Sequence, residues 1–288
     1  MTNFKPLIGI LSALTIPLAA VGLASGQNLL PTDVVPPGPP KGPHSFSLTQ
    51  EDAFDAHSGF RSLFNGKNLE GWDGDPAVWR VENGIIVGER RVEPTNNDYL
   101  VYRGLSAKNF DLKVEMRVIA GGSGIQYRSR TGQAWVDNVA GAPAPNLKWM
   151  MTGPQADLWA AAPPTDARLH GQPIGAVFNG QVYIENSPRR IVAWRGEVTE
   201  ASNNGKAKQV GNVGDITSLA GFVSGGWNQY RIIARNGVLI HVLNGRVMSI
   251  HINDDGAAVD NQAGLIGIEA ELNPARIEVK SAWIKIIS

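Results

Sequence analysis

Two short stretches place carboxyl groups where a strand would turn them to one side. Gln155 and Asp157 are two residues apart in Gly153-Pro-Gln-Ala-Asp157, and Glu269 and Glu271 are two apart after Gly264-Leu-Ile-Gly-Ile268. Alternate residues of a strand share a face, so each pair projects together. Carboxylates so placed can take up a proton, give one up, or ligate a metal. The two glutamates would stand roughly 6.5–7 Å apart at the backbone, close enough to share a cation or to repel each other. Each has a plainer alternative: Asp157 as a structural carboxylate bonded to a loop, Glu269 and Glu271 as solvated charges. In Ser123 to Arg130, the side chains of Gln126, Arg128 and Arg130 alternate with those of Ile125, Tyr127 and Ser129. Three long polar side chains in a row form either a solvated outer face or the wall of a polar cleft. His241 stands alone between Ile240 and Val242, where packing is a commoner role than ligation.

Other chemistries are missing. The chain has no Cys, which removes disulfides, thiolate catalysis and a lipid-modified cysteine. No Gly-x-Ser-x-Gly elbow, phosphate-binding glycine loop or His-Glu-x-x-His pair occurs. Formal charge is zero, with 26 basic and 26 acidic residues and no long basic block, so nucleic acid is not an expected partner.

The elements that must hold these residues are strands. Six Asn-Gly pairs punctuate the 288 residues, and this pair suits a type I′ hairpin because both positions need φ > 0. Tyr230 to Arg235, Val238 to Leu243 and Arg246 to Ile252, separated by Asn236-Gly237 and Asn244-Gly245, read as an antiparallel meander. Asn83-Gly84 joins another pair. Phe110, Leu112, Val114, Met116 and Val118 alternate with Asp111, Lys113, Glu115 and Arg117, as in a strand with one buried face. Arg276 to Ile287 closes the chain as a strand pair or one long bent strand. No amphipathic helix of useful length appears. The pattern predicts an all-β jelly roll or sandwich of two antiparallel sheets. Gln133 to Ile174, rich in Pro, Gly and Trp, reads as functional loops.

The N-terminus reads as an export signal over residues 1–26: Lys5, an apolar run from Leu7 to Leu23, then Ala24-Ser25-Gly26. Cleavage before Gln27 is preferred over an uncleaved anchor, because the run is near the lower limit for spanning a bilayer and contains Pro17. The mature protein would then be periplasmic or extracellular, without stable membrane insertion. Residues 27–58, with Pro36-Pro37-Gly38-Pro39-Pro40 at their centre, read as a stiff Pro-rich linker to a domain over 59–288.

Several segments, in order, resemble one family. They are Phe60-Arg-Ser-Leu-Phe-Asn-Gly-Lys-Asn-Leu-Glu-Gly-Trp72, Trp79-Arg-Val-Glu-Asn-Gly-Ile-Ile-Val-Gly88, Asn109-Phe-Asp-Leu-Lys-Val-Glu-Met-Arg117 and Gly122-Ser-Gly-Ile-Gln-Tyr-Arg128, followed by Gly226-Trp-Asn-Gln-Tyr-Arg231 and Gly264-Leu-Ile-Gly-Ile268. Each motif alone is weak; their shared order is not. The family is that of 3-keto-glucoside 1,2-lyases and 3-keto-2-hydroxy-glucal hydratases, also called 3-keto-disaccharide hydrolases. The resemblance implies a concanavalin A-like jelly roll acting on a small-molecule or oligosaccharide glycoside. A C3 ketone acidifies the C2 proton; a base removes it, the C1 substituent leaves, and water adds across the double bond, a net hydrolysis.

On this resemblance Asp157, Glu269 and Glu271 are the expected acid/base groups or metal ligands. Gln126, Arg128, Gln155, Tyr183, Glu185 and Arg189 are the expected substrate-binding residues. Two departures matter. Pro154 replaces the usual aromatic, and Glu271 stands where relatives carry His. The carboxylates are compatible with a divalent metal ion, though no ligand spacing demonstrates one. Trp135, Trp149, Trp159 and Trp194 could stack on a sugar or anchor loops. Two rivals remain: a non-catalytic lectin-like module, and a two-carboxylate glycoside hydrolase. Against the second, the Glu-x-Asp-x-x-Glu signature of jelly-roll glucanases is missing, with Gln155 where its first Glu would be.

Overall fold

Alternation along the strands sorts side chains into one shared core, and the two faces enclosing it are two sheets. The structure, a computed structural model, describes residues 53–91, 96–133, 146–160, 168–169, 172–173, 178–185, 187, 190–201, 207–271 and 274–287. Residues 1–26, expected as a signal, most of the expected linker, Trp135 and Arg189 lie outside the described residues. The larger sheet holds β1 (Arg61–Ser62), β3 (Trp79–Glu82), β4 (Ile85–Arg90), β6 (Phe110–Ala120), β13 (Glu197–Ala201), β14 (Ala207–Asn212), β15 (Asn228–Arg235), β16 (Val238–Leu243), β17 (Arg246–Ile252) and β19 (Ala275–Ile286). Its order is β14-β13-β17-β16-β15-β6-β19-β4-β3, with β1 beside β19. The smaller holds β2 (Trp72–Asp73), β5 (Asp98–Ala107), β7 (Gly122–Thr131), β8 (Met151–Trp159), β11 (Val182–Glu185), β12 (Arg190–Ala193) and β18 (Gly264–Ala270). Its order is β12-β11-β8-β7-β18-β5-β2. A separate ladder joins β9 (Arg168–Leu169) and β10 (Gln172–Pro173). Pairing is antiparallel except between β13 and β17. Among the described residues one short α-helix, α1 (Ile216–Ala220), is capped by the Asp215 carboxylate, and Val259–Asn261 forms a single 3₁₀ turn.

This is the jelly-roll sandwich expected from the turns and alternation. The meander β15-β16-β17 forms in the expected register. Asn83-Gly84 and Asn244-Gly245 both place two successive residues at positive φ (50° and 76°, 49° and 78°). At Asn236-Gly237 only the asparagine does so, so that turn is not type I′. β19 is one long strand whose register shifts twice against β6, the bend of the single-strand reading.

The inward rows meet between the sheets: Phe110, Leu112, Val114 and Met116 from β6 face Ile125 and Tyr127 from β7, Ala156 and Leu158 from β8, and Ile266 and Ile268 from β18. Burying each large side chain contributes roughly 1.5–3 kcal/mol, which a disulfide-free domain depends on. The outer face of β6 is not simply solvated. Lys113 is fully buried beneath residues 53–60, its Nζ donating to the carbonyls of Ala53 and Ala56 (2.9 and 2.8 Å) and lying 4.4 Å from the Phe60 ring centroid. His57 stacks on Trp283 at 4.1 Å. Residues 53–58, expected in the linker, are therefore packed onto the large sheet.

Candidate active site

The small sheet's other face carries polar side chains in cross-strand rows. Asp157 on β8 pairs with Gly124 on β7, and Glu269 on β18 pairs with Tyr99 on β5. In the adjoining row Gln155 lies between Gln126 and Tyr183. The missing side chain at Gly124 lets Gln155 lie across the sheet, since a Cβ there would stand 2.4 Å from its Nε2. That amide donates to Asp157 Oδ1 (2.7 Å) and to Glu269 Oε2 (2.6 Å), so one glutamine bridges both carboxylates. Its own carbonyl accepts from Gln126, whose oxygen accepts from the Ser129 hydroxyl at 2.6 Å. Pro154 does not break β8: it pairs with Ile184 on β11, and its β7 side falls in the register shift between Gln126 and Arg130.

The carboxylates differ in surroundings. Glu269 is fully buried and accepts from Asn97 (2.6 Å), Tyr99 (2.8 Å) and Gln155. Burial pushes its carboxyl well above the usual range, as does the charge of Glu271, while Tyr99 opposes the rise. Asp157 accepts from Gln155 and from Gln181 (2.5 Å) and lines a cavity of about 470 Å³. Burial raises Asp157 to about 8 against the lowering by its two amide partners. Glu271 and Glu185 line the same cavity with Tyr183 and Arg190. Burial, and then Glu185, pushes the Tyr183 hydroxyl up, while a hydrogen bond with Arg190 opposes this. Trp159 and Phe178 form an aromatic wall, their ring centroids 5.3 Å apart.

Six residues named from the sequence therefore meet here: Gln155, Asp157, Tyr183, Glu185 and Glu271 line the cavity, and Glu269 lies behind them. Gln126 supports the group from beneath. Arg128 is not brought to it. β7 shifts register between Gln126 and Arg130, and Arg128 takes φ 50°. Its guanidinium turns away to donate to the carbonyls of Lys108 and Asp260 (both 2.6 Å). The same shift brings Ser129 to Gln126, breaking the expected alternation. Trp149 anchors Asp73 through its Nε1 (2.9 Å), and His241 is packed in the core. Sequence reasoning missed Gln181 and Asn97. Each stands two residues before another side chain of the site, Gln181 before Tyr183 and Asn97 before Tyr99, a same-face spacing that was the available signal.

Among the described residues no group of three His, Asp or Glu side chains is arranged to hold an ion. Asp157 and Glu269 instead direct their oxygens at amide and phenol donors.

The model of the 3-keto-alpha-glucoside-1,2-lyase-like domain matches residues 59–285. The chain belongs to this family. Family membership supports a carbohydrate-active role. No curated protein matches this chain by sequence. Solved structures similar to it include two proteins of Parabacteroides distasonis ATCC 8503 provisionally named glycosyl hydrolases. One is 15% identical, with 79% of this chain and 99% of that one covered and a TM-score of 0.45. The other is 19% identical, with 80% and 95% covered and a TM-score of 0.46. A laminarinase from Rhodothermus marinus is 13% identical, with 79% and 95% covered and a TM-score of 0.41. Among the described residues no helix is long and apolar enough to cross a membrane.

Proposed function

We propose that this protein cleaves 3-keto-glycosides by elimination and hydration, with Asp157 as the base that removes the C2 proton. The observation that carries the reading is a cavity-facing carboxylate whose burial raises it to about 8. A carboxylate of ordinary basicity is a poor match for a carbon acid beside a ketone; one raised toward the working pH is a stronger base and still ionises. Removing the C2 proton places negative charge on the C3 oxygen. Arg190 and the Tyr183 hydroxyl, both on the cavity wall, supply the donors that charge needs. Glu271 faces the same space and protonates the departing C1 oxygen. The elimination leaves a 3-keto-2-hydroxy-glucal, and water adding at C1 while a proton returns to C2 completes the net hydrolysis. Trp159 and Phe178 offer apolar faces to a sugar ring. Glu269, saturated by three donors behind the cavity, fixes Gln155 rather than touching substrate.

Export through an N-terminal signal is part of the proposal. It is supported by the charged, apolar and small-residue order of residues 1–26, and mass spectrometry of the exported protein tests it. A mature end at Gln27 supports it, and a retained Met1 or Thr2 opposes it.

The activity is tested by incubating the purified protein with a 3-keto-glucoside and with its unoxidised parent, with and without chelator, following products by NMR. Release of aglycone from the keto form alone supports the elimination. Cleavage of the parent points to a two-carboxylate glycoside hydrolase. Saturable binding without turnover points to a lectin-like module. Loss of turnover with chelator would bring in a metal that the described side chains do not provide for.

A further inference from the structure

Three consecutive carbonyls just before β11 each accept a hydrogen bond from a buried side chain of the large sheet or its connections. Arg195 Nη1 donates to Asn179 (3.2 Å), the Ser249 hydroxyl to Gly180 (2.7 Å), and His241 Nδ1 to Gln181 (2.9 Å). A carbonyl can only accept, so the His241 proton is on Nδ1. Nε2 must then accept, and the Tyr127 hydroxyl donates to it at 2.8 Å. All three residues are almost completely buried, and burial lowers His241 to about 3, so the ring is neutral. His241 interrupts the apolar inward row between Leu239 and Leu243 on β16. A polar ring costs stability in such a row unless its hydrogen bonds are made. What it holds is Gln181, whose side-chain amide donates to Asp157 Oδ2, while Gly180 N–H donates to the Asp157 carbonyl (3.2 Å).

We propose that Arg195, Ser249 and His241 form a clamp that positions Gln181, and through it the Asp157 carboxylate, so that the large sheet sets the geometry of a site on the small one. The proposal rests on the assignment of Asp157 as the base. The clamp acts on backbone, so what matters is a donor at the Nδ1 position rather than an imidazole. Asparagine places its amide nitrogen near that position; glutamine reaches instead toward Nε2.

The test compares His241→Asn, His241→Gln and Ser249→Ala, each first shown to be folded by a cooperative melt. Steady-state kinetics on a 3-keto-glucoside and the side-chain amide signals of Gln181 in 1H–15N spectra are then measured. His241→Gln is expected to lose on the order of tenfold to a hundredfold in kcat with KM little changed, and to shift the Gln181 amide signals. Ser249→Ala is expected to do the same more weakly. His241→Asn is expected to keep most of kcat and an unshifted Gln181 amide. A folded His241→Gln protein with wild-type kcat and unshifted amide signals would overturn the clamp, as would equal losses in the Asn and Gln variants. Should the wild-type protein turn over no keto-glucoside, the reading of Asp157 fails, and the Gln181 signals alone still decide whether His241 holds that side chain.

Discussion

At the scale of single residues, four acidic side chains share one neighbourhood, and their partners divide the labour. Asp157 has two amide donors and faces the cavity; Glu269 has three donors and does not line it. Asp157→Asn should lower kcat/KM by roughly 10²–10⁴-fold, the range lost with a general base. In the wild type, kcat/KM should fall as pH drops below about 8, where Asp157 takes up its proton. Glu269→Ala should act differently, because it strands the Asn97, Tyr99 and Gln155 donors in a buried place. A loss of roughly 2–5 kcal/mol in urea unfolding is expected. Glu271→Ala, on the cavity wall, should stay within about 1 kcal/mol of wild-type stability while losing turnover.

At the scale of elements, most of the fold was legible because turn residues and alternation report local geometry directly. Phe110 to Val118 and the meander formed as their patterns required. β7 was misread for a physical reason. Period-two alternation assumes an unbroken ladder, and the register shift between Gln126 and Arg130 turns Arg128 away from the site. Gln155, Asp157 and Glu271 were legible as same-face residues. The neighbours on other strands were not, because which strands lie side by side is a matter of topology rather than of local spacing. Gln181 was hidden in this way until β11 was seen beside β8. Gly124 belongs to the same lesson. Nothing in its local sequence says that Gln155 crosses over it, yet a Cβ there would stand 2.4 Å from the Gln155 amide nitrogen. Gly124→Ala should keep the β7–β8 ladder but push Gln155 from its bridge. At least a tenfold fall in kcat/KM, with circular dichroism unchanged, is the expected result.

At the scale of the whole molecule, buried titratable groups from the two sheets pull stability in opposite directions with pH. Asp157 is raised in the folded state from 3.8 to about 8, so its contribution is complete at low pH and is lost as pH rises through about 8. His241 is lowered from 6.5 to about 3, so its contribution is complete above 6.5 and is lost as pH falls toward 3. Each is worth at most roughly 5 kcal/mol. From about pH 4 to 6.5 these two slopes oppose each other, so the urea midpoint should fall on the acid side only below about pH 4, where His241 alone of the two acts, and on the alkaline side from about 6.5 to 8, where Asp157 does. Asp157→Asn should make the alkaline limb shallower, leaving the part due to the buried Glu269, and His241→Asn should flatten the acid one, whatever either does to the midpoint at neutrality. The same crossing of the core by His241 ties the site to the sandwich behind it, so stability and turnover share one set of hydrogen bonds.

The most direct measurement is the fate of a deuterium placed at C2 of a 3-keto-glucoside during aglycone release. Loss of the C2 label to solvent in step with aglycone release, with a slower rate than the unlabelled substrate and both abolished in Asp157→Asn, is the result expected of elimination. Release of aglycone with the C2 label retained and at the same rate as from the unlabelled substrate would mean direct displacement at C1 and would contradict the assignment of Asp157 as the base.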